Sequence, residues 1–357
     1  MIIYYTSQTV QQKMLTMAMW SGRWHPGSSE ISDLVALFAV GRMVDVPGPI
    51  NRNHDFVFDF DRSPLPTDIK SDLDFAQTCD QMAADIWYRA QNRTVALWWS
   101  GGIDSTTILV ALMKANPKWL QQLKIYTSRY AIDVEYPWFY QQYLQDADCV
   151  VRHGWELWSS DLFDPDLFLL DGNCGDQLWG NKALADLPIA PDSPWRCLFD
   201  LEFFHKRVKP GHRECVADYI TDQVAKFPAP VKSIADIFWW MNFTHKYDYI
   251  KHNSAILSGC PELLGQTCCF FDNWNFQNWS MCNPESRKYA RWEQYKQPAK
   301  DYIWDYTGDS CYRDTKLKIA SAFMSVEHDG IQDRPPRREI VTRVHGQLSD
   351  RFFLKAQ

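Results

Sequence analysis

Between residues 94 and 171 short apolar runs alternate with stretches whose apolar residues recur every three or four positions. TVALWW (94–99) is apolar almost throughout, the pattern of a strand buried on both faces. KIYTS (124–128), DCVV (148–151) and LFLLD (167–171) supply three further strands. Helices are predicted between them. Cys79, Met82, Ala83, Ile86, Trp87 and Ala90 form one apolar face over 76–92. A second helix runs from Asp104 to Asn116, where Pro117 stops it, and a third covers Tyr136–Asp146. Strands separated by helices predict an α/β fold, a parallel sheet with helices on both faces. Ligands in such sheets lie beyond the carboxyl ends of the strands, where the glycine-containing turns 100–105 and 172–180 fall.

The flanking regions read differently. IIYY (2–5) and HDFVFDF (54–60) are predicted strands, with turn signals in WHPGSS (25–30) and DVPGP (45–49) and a linker in RSPLPTD (62–68). From 194 onward the pattern is helical and aromatic, and DIFWWMNFTHKYDYI (236–250) reads as a buried helix. Prolines and Asn/Asp clusters over 260–285 break the pattern, and a charged tail begins at 327. The predicted organisation is a small lobe over 1–70, an α/β domain over 71–190 and a mostly helical region over 191–357.

Composition narrows the partners. A hydrophobic share of 46% predicts a packed core, and the 17 tryptophans fit aromatic-rich cores and interfaces. The net charge of −7 argues against extended nucleic-acid binding, which needs clustered Lys and Arg. No stretch is long and apolar enough to span a membrane, and the first residues do not read as a signal peptide. The ten cysteines are therefore expected as reduced thiols in a cytoplasm. They include no CxxC pair, and GHREC offers only His212 and Cys215, so no structural metal site is expected. His153, near the third strand, reads as a loop or core residue and not as a base.

The candidate chemistry lies in WWSGGIDSTTILV (98–110). Gly101 and Gly102 permit a tight turn and close approach of the backbone to a ligand. The helix start beyond them offers N–H groups and a partial positive charge, and Ser100, Ser105 and Thr106 add hydroxyls. That set suits phosphate. Asp104 would repel a phosphate unless a cation lay between them, and magnesium is the usual solution. Neither GxxxxGK[ST] nor GxGxxG occurs at this turn, which sets aside the Walker and dinucleotide loops.

SGGIDST resembles the SGGxDS signature of the PP-loop ATP pyrophosphatases, which include asparagine synthetase and β-lactam synthetase. The resemblance implies an adenine nucleotide alpha hydrolase-like fold, with ATP held by its pyrophosphate on the 100–106 turn. It also implies cleavage between the α and β phosphates, adenylating a substrate oxygen. LLDGNCGDQLWG (169–180) is similar to the asparagine synthetase segment lSGeGaDElfgG, with Gly172, Asp176, Leu178, Trp179 and Gly180 on the pattern. By that resemblance Gly172 contributes to the ATP site and Asp176 joins Asp104 as the second magnesium-binding carboxylate. Cys174, Gln177 and Asn181 depart from it, standing where the family has glycine, glutamate and glycine. CCFFDNWNFQNWS (268–280) is similar to a segment that lines the family's substrate pocket. KQPAKDYIWDYTGDSCYRDTKLK (296–318) is similar in position to the stretch ending in the lysine that neutralises the triphosphate. Lys316 and Lys318 are the two matching candidates, with Lys300 in support.

The resemblance implies an ATP-dependent carbon–nitrogen ligase of the asparagine synthase type. The small-molecule substrate offers a carboxylate or carbonyl oxygen, and the adenine lies near KIYTSRY (124–130). Position 2 is Ile2 and the first cysteine is Cys79, so the family's N-terminal glutaminase chemistry is not expected. The nitrogen is then free ammonia, an amine on the substrate, or one delivered by a partner protein. Two other readings stay open at this point: modification of a nucleobase or nucleotide, and ATP binding without catalysis.

Overall fold

A computed structural model describes residues 69–152, 164–180, 182–245, 267–289 and 291–318. The predicted strands at 2–5 and 54–60, the small lobe over 1–70 but for its last two residues, the linker, His153, residues 246–250 and the tail from 327 lie outside the described residues. The chain divides into two compact units. The described residues of one fall within 69–179 and 267–318, and those of the other within 180–245.

The first unit is α/β. Helix α1 (Phe75–Ala90) opens on a reciprocal cap: the Gln77 N–H donates to Asp74 Oδ1 at 2.7 Å and the Asp74 N–H donates to Gln77 Oε1 at 3.0 Å. Its predicted face is the buried one, with Cys79, Met82, Ala83, Ile86 and Ala90 inward. Trp87 lies at the margin of that face, where its indole N–H donates to the Leu112 carbonyl at 3.1 Å. Strand β1 (Thr94–Trp98) follows, then α2 (Ile103–Ala115), β2 (Leu123–Thr127), the short helix α3 (Pro137–Phe139), β3 (Asp148–Val151) and β4 (Leu167–Asp171). The helix predicted over 136–146 spans 137–144, α-helical over Pro137–Phe139 and π-helical over Tyr140–Leu144, and a separate π-helical turn, Ala131–Glu135, precedes it.

Among the described residues the sheet has five strands in the order β3-β2-β1-β4-β5, all parallel. Strand β5 (Thr267–Cys269) extends it past the boundary at 190 that the sequence pattern gave, by pairing Leu170 with Cys268. β1 is central: Val95 lies beside Leu123 on one flank and Phe168 on the other, and Leu97 beside Ile125 and Leu170. Val95, Ala96 and Leu97 are all fully buried, so both faces of β1 are covered, as the unbroken apolar run predicts. From β1 the chain crosses to β2 on one side, whereas β4 lies on the other. The strand order thus reverses at β1, and crevices outside such a reversal are where ligands bind in open parallel sheets.

The described residues of the second unit are mostly helical, with α4 (Glu202–Arg207), α5 (Arg213–Lys226) and α6 (Ile234–His245). The Asp236 carboxylate accepts from the Lys232 and Ser233 N–H groups at 3.0 and 2.9 Å, which fixes the start of α6. Trp239 stacks on Phe243 inside it at 5.0 Å. The first unit is completed by α7 (Trp274–Cys282), α8 (Gln297–Thr307) and α9 (Ser310–Thr315), with α8 packed on α1 and α2. Among the described residues, no helix is long and apolar enough to cross a membrane, and no disulfide joins the cysteines.

Candidate functional site

The turn after β1 is built by its smallest residues against its largest. Trp99 continues the ladder, its N–H donating to the Tyr126 carbonyl at 2.8 Å, and its indole is fully buried against Phe139. Gly101 then takes φ +72, in the left-handed region. A Cβ there would lie 2.8 and 2.9 Å from Cγ and Cβ of Glu135, so a side chain is excluded on steric grounds as well. The Tyr312 hydroxyl donates to the Gly101 carbonyl at 3.3 Å, and Tyr312 stacks on Tyr136 at 3.9 Å. Elements α9 and 131–136 thereby hold the glycine turn from outside. Gly102 opens α2 with no side-chain cap, and first-turn N–H groups have no acceptor within their own helix. The Ser105 hydroxyl bonds to the Ser100 N–H, the Ser100 hydroxyl and the Gly102 carbonyl at 3.1, 3.1 and 3.2 Å, which fixes the turn's shape.

The turn after β4 approaches the same place. A Cβ on Gly175 would lie 2.5 Å from Asp104 Oδ1, so only glycine lets this backbone pass over the carboxylate. Gly172 is less constrained, its nearest contacts being Asp104 Cβ, Ile108 Cδ1 and the Ser105 nitrogen, all at 3.6 Å. Asp176 begins a 3-10 turn (Asp176–Leu178) directly beyond.

Two lysines join the carboxylates. The Lys296 ammonium bonds to Asp104 Oδ1 and lies 2.6 Å from Asp176 Oδ1, and the Lys296 side chain is fully buried. The Lys318 ammonium lies 3.2 Å from Asp104 Oδ2 and 3.4 Å from Asp176 Oδ2. Burial disfavours the Lys318 charge, but Asp176 and Asp104 outweigh it and hold this ammonium above the ordinary lysine range. The Tyr295 hydroxyl donates to Asp176 Oδ1 at 3.2 Å, and burial followed by the Asp176 charge pushes the phenol far up, keeping it a donor. The Asp104 side chain is 11% exposed and that of Asp176 41%, so the cluster opens to solvent on the Asp176 side.

The structure separates the two lysine candidates. Lys318 reaches both carboxylates, whereas Lys316 pairs with Glu135 at 2.8 Å and donates to the Glu135 carbonyl at 3.0 Å. Burial lowers the Lys316 affinity for its proton, and Glu135 opposes that. Lys300 donates to the Glu293 carbonyl, a link inside its own segment. Ser100, Gly101, Gly102, Asp104 and Ser105 share the β1 turn, with Gly172 and Asp176 beside them. Thr106 turns away: it is fully buried, and its hydroxyl accepts the Trp99 indole N–H at 3.1 Å. Lys296, Tyr295, Glu135, Gly175 and Tyr312 escaped the sequence pattern. Of these only Gly175 carried a local signal, a second glycine three residues after Gly172.

Cys174 stands where the resembling family has glycine, and the structure holds it at φ +70 with its thiol buried and hydrogen-bonded to Cys269. A side chain in that region costs roughly 1–2 kcal/mol. Cys174→Ala and Cys174→Gly both lose the thiol contact, but only the second recovers the backbone cost. The glycine variant is expected to be the more stable by about 1 kcal/mol in urea unfolding. Equal stabilities would show that the backbone here is unstrained.

Among the described residues no three His, Cys, Asp or Glu side chains converge on a cation site. The Asp104–Asp176 pair nevertheless matches magnesium's habit of using one or two carboxylates and completing its shell with phosphate oxygens and water. No family model, curated protein or solved structure matched the chain.

Proposed function

We propose that this chain is an ATP-dependent ligase of the asparagine synthase type, with the PP-loop fold. It would adenylate a carboxylate or carbonyl oxygen and pass the activated group to an amine or ammonia. One observation carries the reading: turns from both sides of the strand-order reversal converge, and Asp104 and Asp176 face the same two ammonium groups. Two ammonium groups and two carboxylates beside an uncapped helix start suit a polyphosphate with its cation.

In this reading the Gly101–Gly102 turn and the first N–H groups of α2 receive the β and γ phosphates. Asp104 and Asp176 would hold magnesium, which would supply charge neutralisation for the polyphosphate. Lys296 and Lys318 turn to the same oxygens and oppose charge as it develops on pyrophosphate. The adenine lies against the segment after β2, at 128–130. The substrate oxygen attacks the α phosphorus, forming an adenylate as the α–β anhydride bond breaks and pyrophosphate leaves. The amine then attacks the activated carbon, and AMP departs. Tyr312 and Glu135 hold the glycine turn in shape, and the Glu135–Lys316 pair ties it to the C-terminal end of α9.

Exchange of labelled pyrophosphate into ATP tests the proposal, because exchange requires reversible formation of the adenylate. Amino acids and other small carboxylates, offered in turn, are expected to include one that raises exchange at least about tenfold above the ATP-only rate. Stimulation by nucleosides or nucleobases instead would move the reading to nucleobase modification. No exchange with any carbonyl compound, in a protein shown to bind ATP, would favour binding without catalysis.

A further inference from the structure

We propose that Lys296 and Lys318 are displaceable counter-ions that keep a divalent cation out of the Asp104–Asp176 pair until nucleotide phosphates draw them away. The inference rests on the nucleotide reading above and adds an order of binding to it.

Each of the four carboxylate oxygens of Asp104 and Asp176 faces an ammonium. Lys296 takes Oδ1 of Asp104 and, at 2.6 Å, Oδ1 of Asp176, while Lys318 takes the two Oδ2 atoms at 3.2 and 3.4 Å. Two negative charges meet two positive ones, and the set is balanced. A dication arriving alone finds no carboxylate oxygen without an ammonium against it and must also approach two positive charges. Its entry requires at least one lysine to leave.

Lys296 cannot leave for water. Its side chain is fully buried, and a buried ammonium without a partner carries a heavy penalty. It therefore needs another anion within reach before it releases Asp104. A nucleotide polyphosphate seated at the α2 start supplies one, since its oxygens lie next to Asp104 in the first turn. The lysines would move from carboxylate to phosphate, and the freed carboxylates would be available to hold the metal. Lys318, whose side chain is 26% exposed, is the one positioned to move first. Coupling of this kind is reciprocal: the metal must strengthen nucleotide binding by the factor by which nucleotide strengthens metal binding.

Manganese, followed by its paramagnetic resonance signal, is the probe, with α,β-methylene-ATP as a nucleotide that cannot undergo α–β cleavage. Wild-type protein is expected to bind manganese weakly alone, and protein with the analogue is expected to bind it at least about tenfold more tightly than either protein alone or the analogue alone. Lys318→Met frees two oxygens and is expected to bind manganese alone about tenfold more tightly than wild type. Lys296→Met is expected to do the same where circular dichroism shows it folded, and Lys318→Met, at the more exposed position, carries the test if it does not. Tight manganese binding by wild type without nucleotide overturns the proposal. So does analogue binding accompanied by no gain in either folded variant, which leaves the nucleotide reading standing. Failure of the analogue to bind, with manganese gained in Lys318→Met, overturns the release step through loss of the nucleotide reading itself.

Discussion

Asp104→Asn is expected to reduce the proposed ATP cleavage about a thousandfold, a loss of about 4 kcal/mol of transition-state stabilisation. The change keeps the shape of the side chain, so the close passage of Gly175 over it survives. What it removes is the negative charge that both Lys296 and Lys318 face, and one of the two hard oxygen ligands proposed for magnesium. Lys296 keeps Asp176 at 2.6 Å, so the buried ammonium is not orphaned and the variant should fold. Circular dichroism establishes folding, and single-turnover ATP cleavage reads the effect. Turnover at the wild-type rate in a folded Asp104→Asn protein would remove Asp104 from the chemistry.

Gly101→Ala is expected to destabilise the chain by about 3 kcal/mol, whereas Gly172→Ala should stay within about 0.5 kcal/mol of wild type. Two separate penalties fall on Gly101. Its φ of +72 disfavours any Cβ, and that Cβ would press on Cβ and Cγ of the buried Glu135 at under 3 Å. Glu135 cannot retreat easily, because its carboxylate pairs with Lys316 at 2.8 Å. Gly172 meets only ordinary contacts at 3.6 Å, and its backbone is not left-handed. Urea unfolding of the two variants side by side checks the contrast. Equal losses would mean that glycine at 101 is not required by the fold.

The parts of the molecule that the sequence made legible are those fixed by local forces. The run 94–98 sits centrally with Val95, Ala96 and Leu97 buried on both faces, and α2 ends at Ala115, capped by Asn116, because Pro117 cannot continue it. The SGGIDST turn is legible because strand, glycines and helix start are contiguous. Strand β5 is not legible: at three residues, Thr267–Cys269 is too short to show a period, and its pairing with β4 spans nearly a hundred positions.

The site divides in the same way. Asp104 and Asp176 lie on turns whose form is local, and their resemblance to a known pattern marked them. Lys296 was invisible because it sits in a polar stretch where a lysine reads as a solvated charge. Only the docking of α8 buries it, and its backbone takes φ +60, which no local sequence rule asks of a lysine. Lys316 and Lys318 could not be ranked from spacing, since two residues apart in extended chain they share a side. Rank came from their partners, Glu135 for one and the two aspartates for the other. In the sequence Thr106 offers only its hydroxyl as a reason to join the site; helical rotation from Ser105 carries that hydroxyl into the core, where it accepts from the Trp99 indole.

Phosphorus resonance spectroscopy of ATP, magnesium and this protein, with a carboxylate that supports exchange and an amine or ammonia, shows which bond of ATP the proposed reaction breaks. AMP and pyrophosphate are expected in equal amounts. ADP and inorganic phosphate, without AMP, would contradict it.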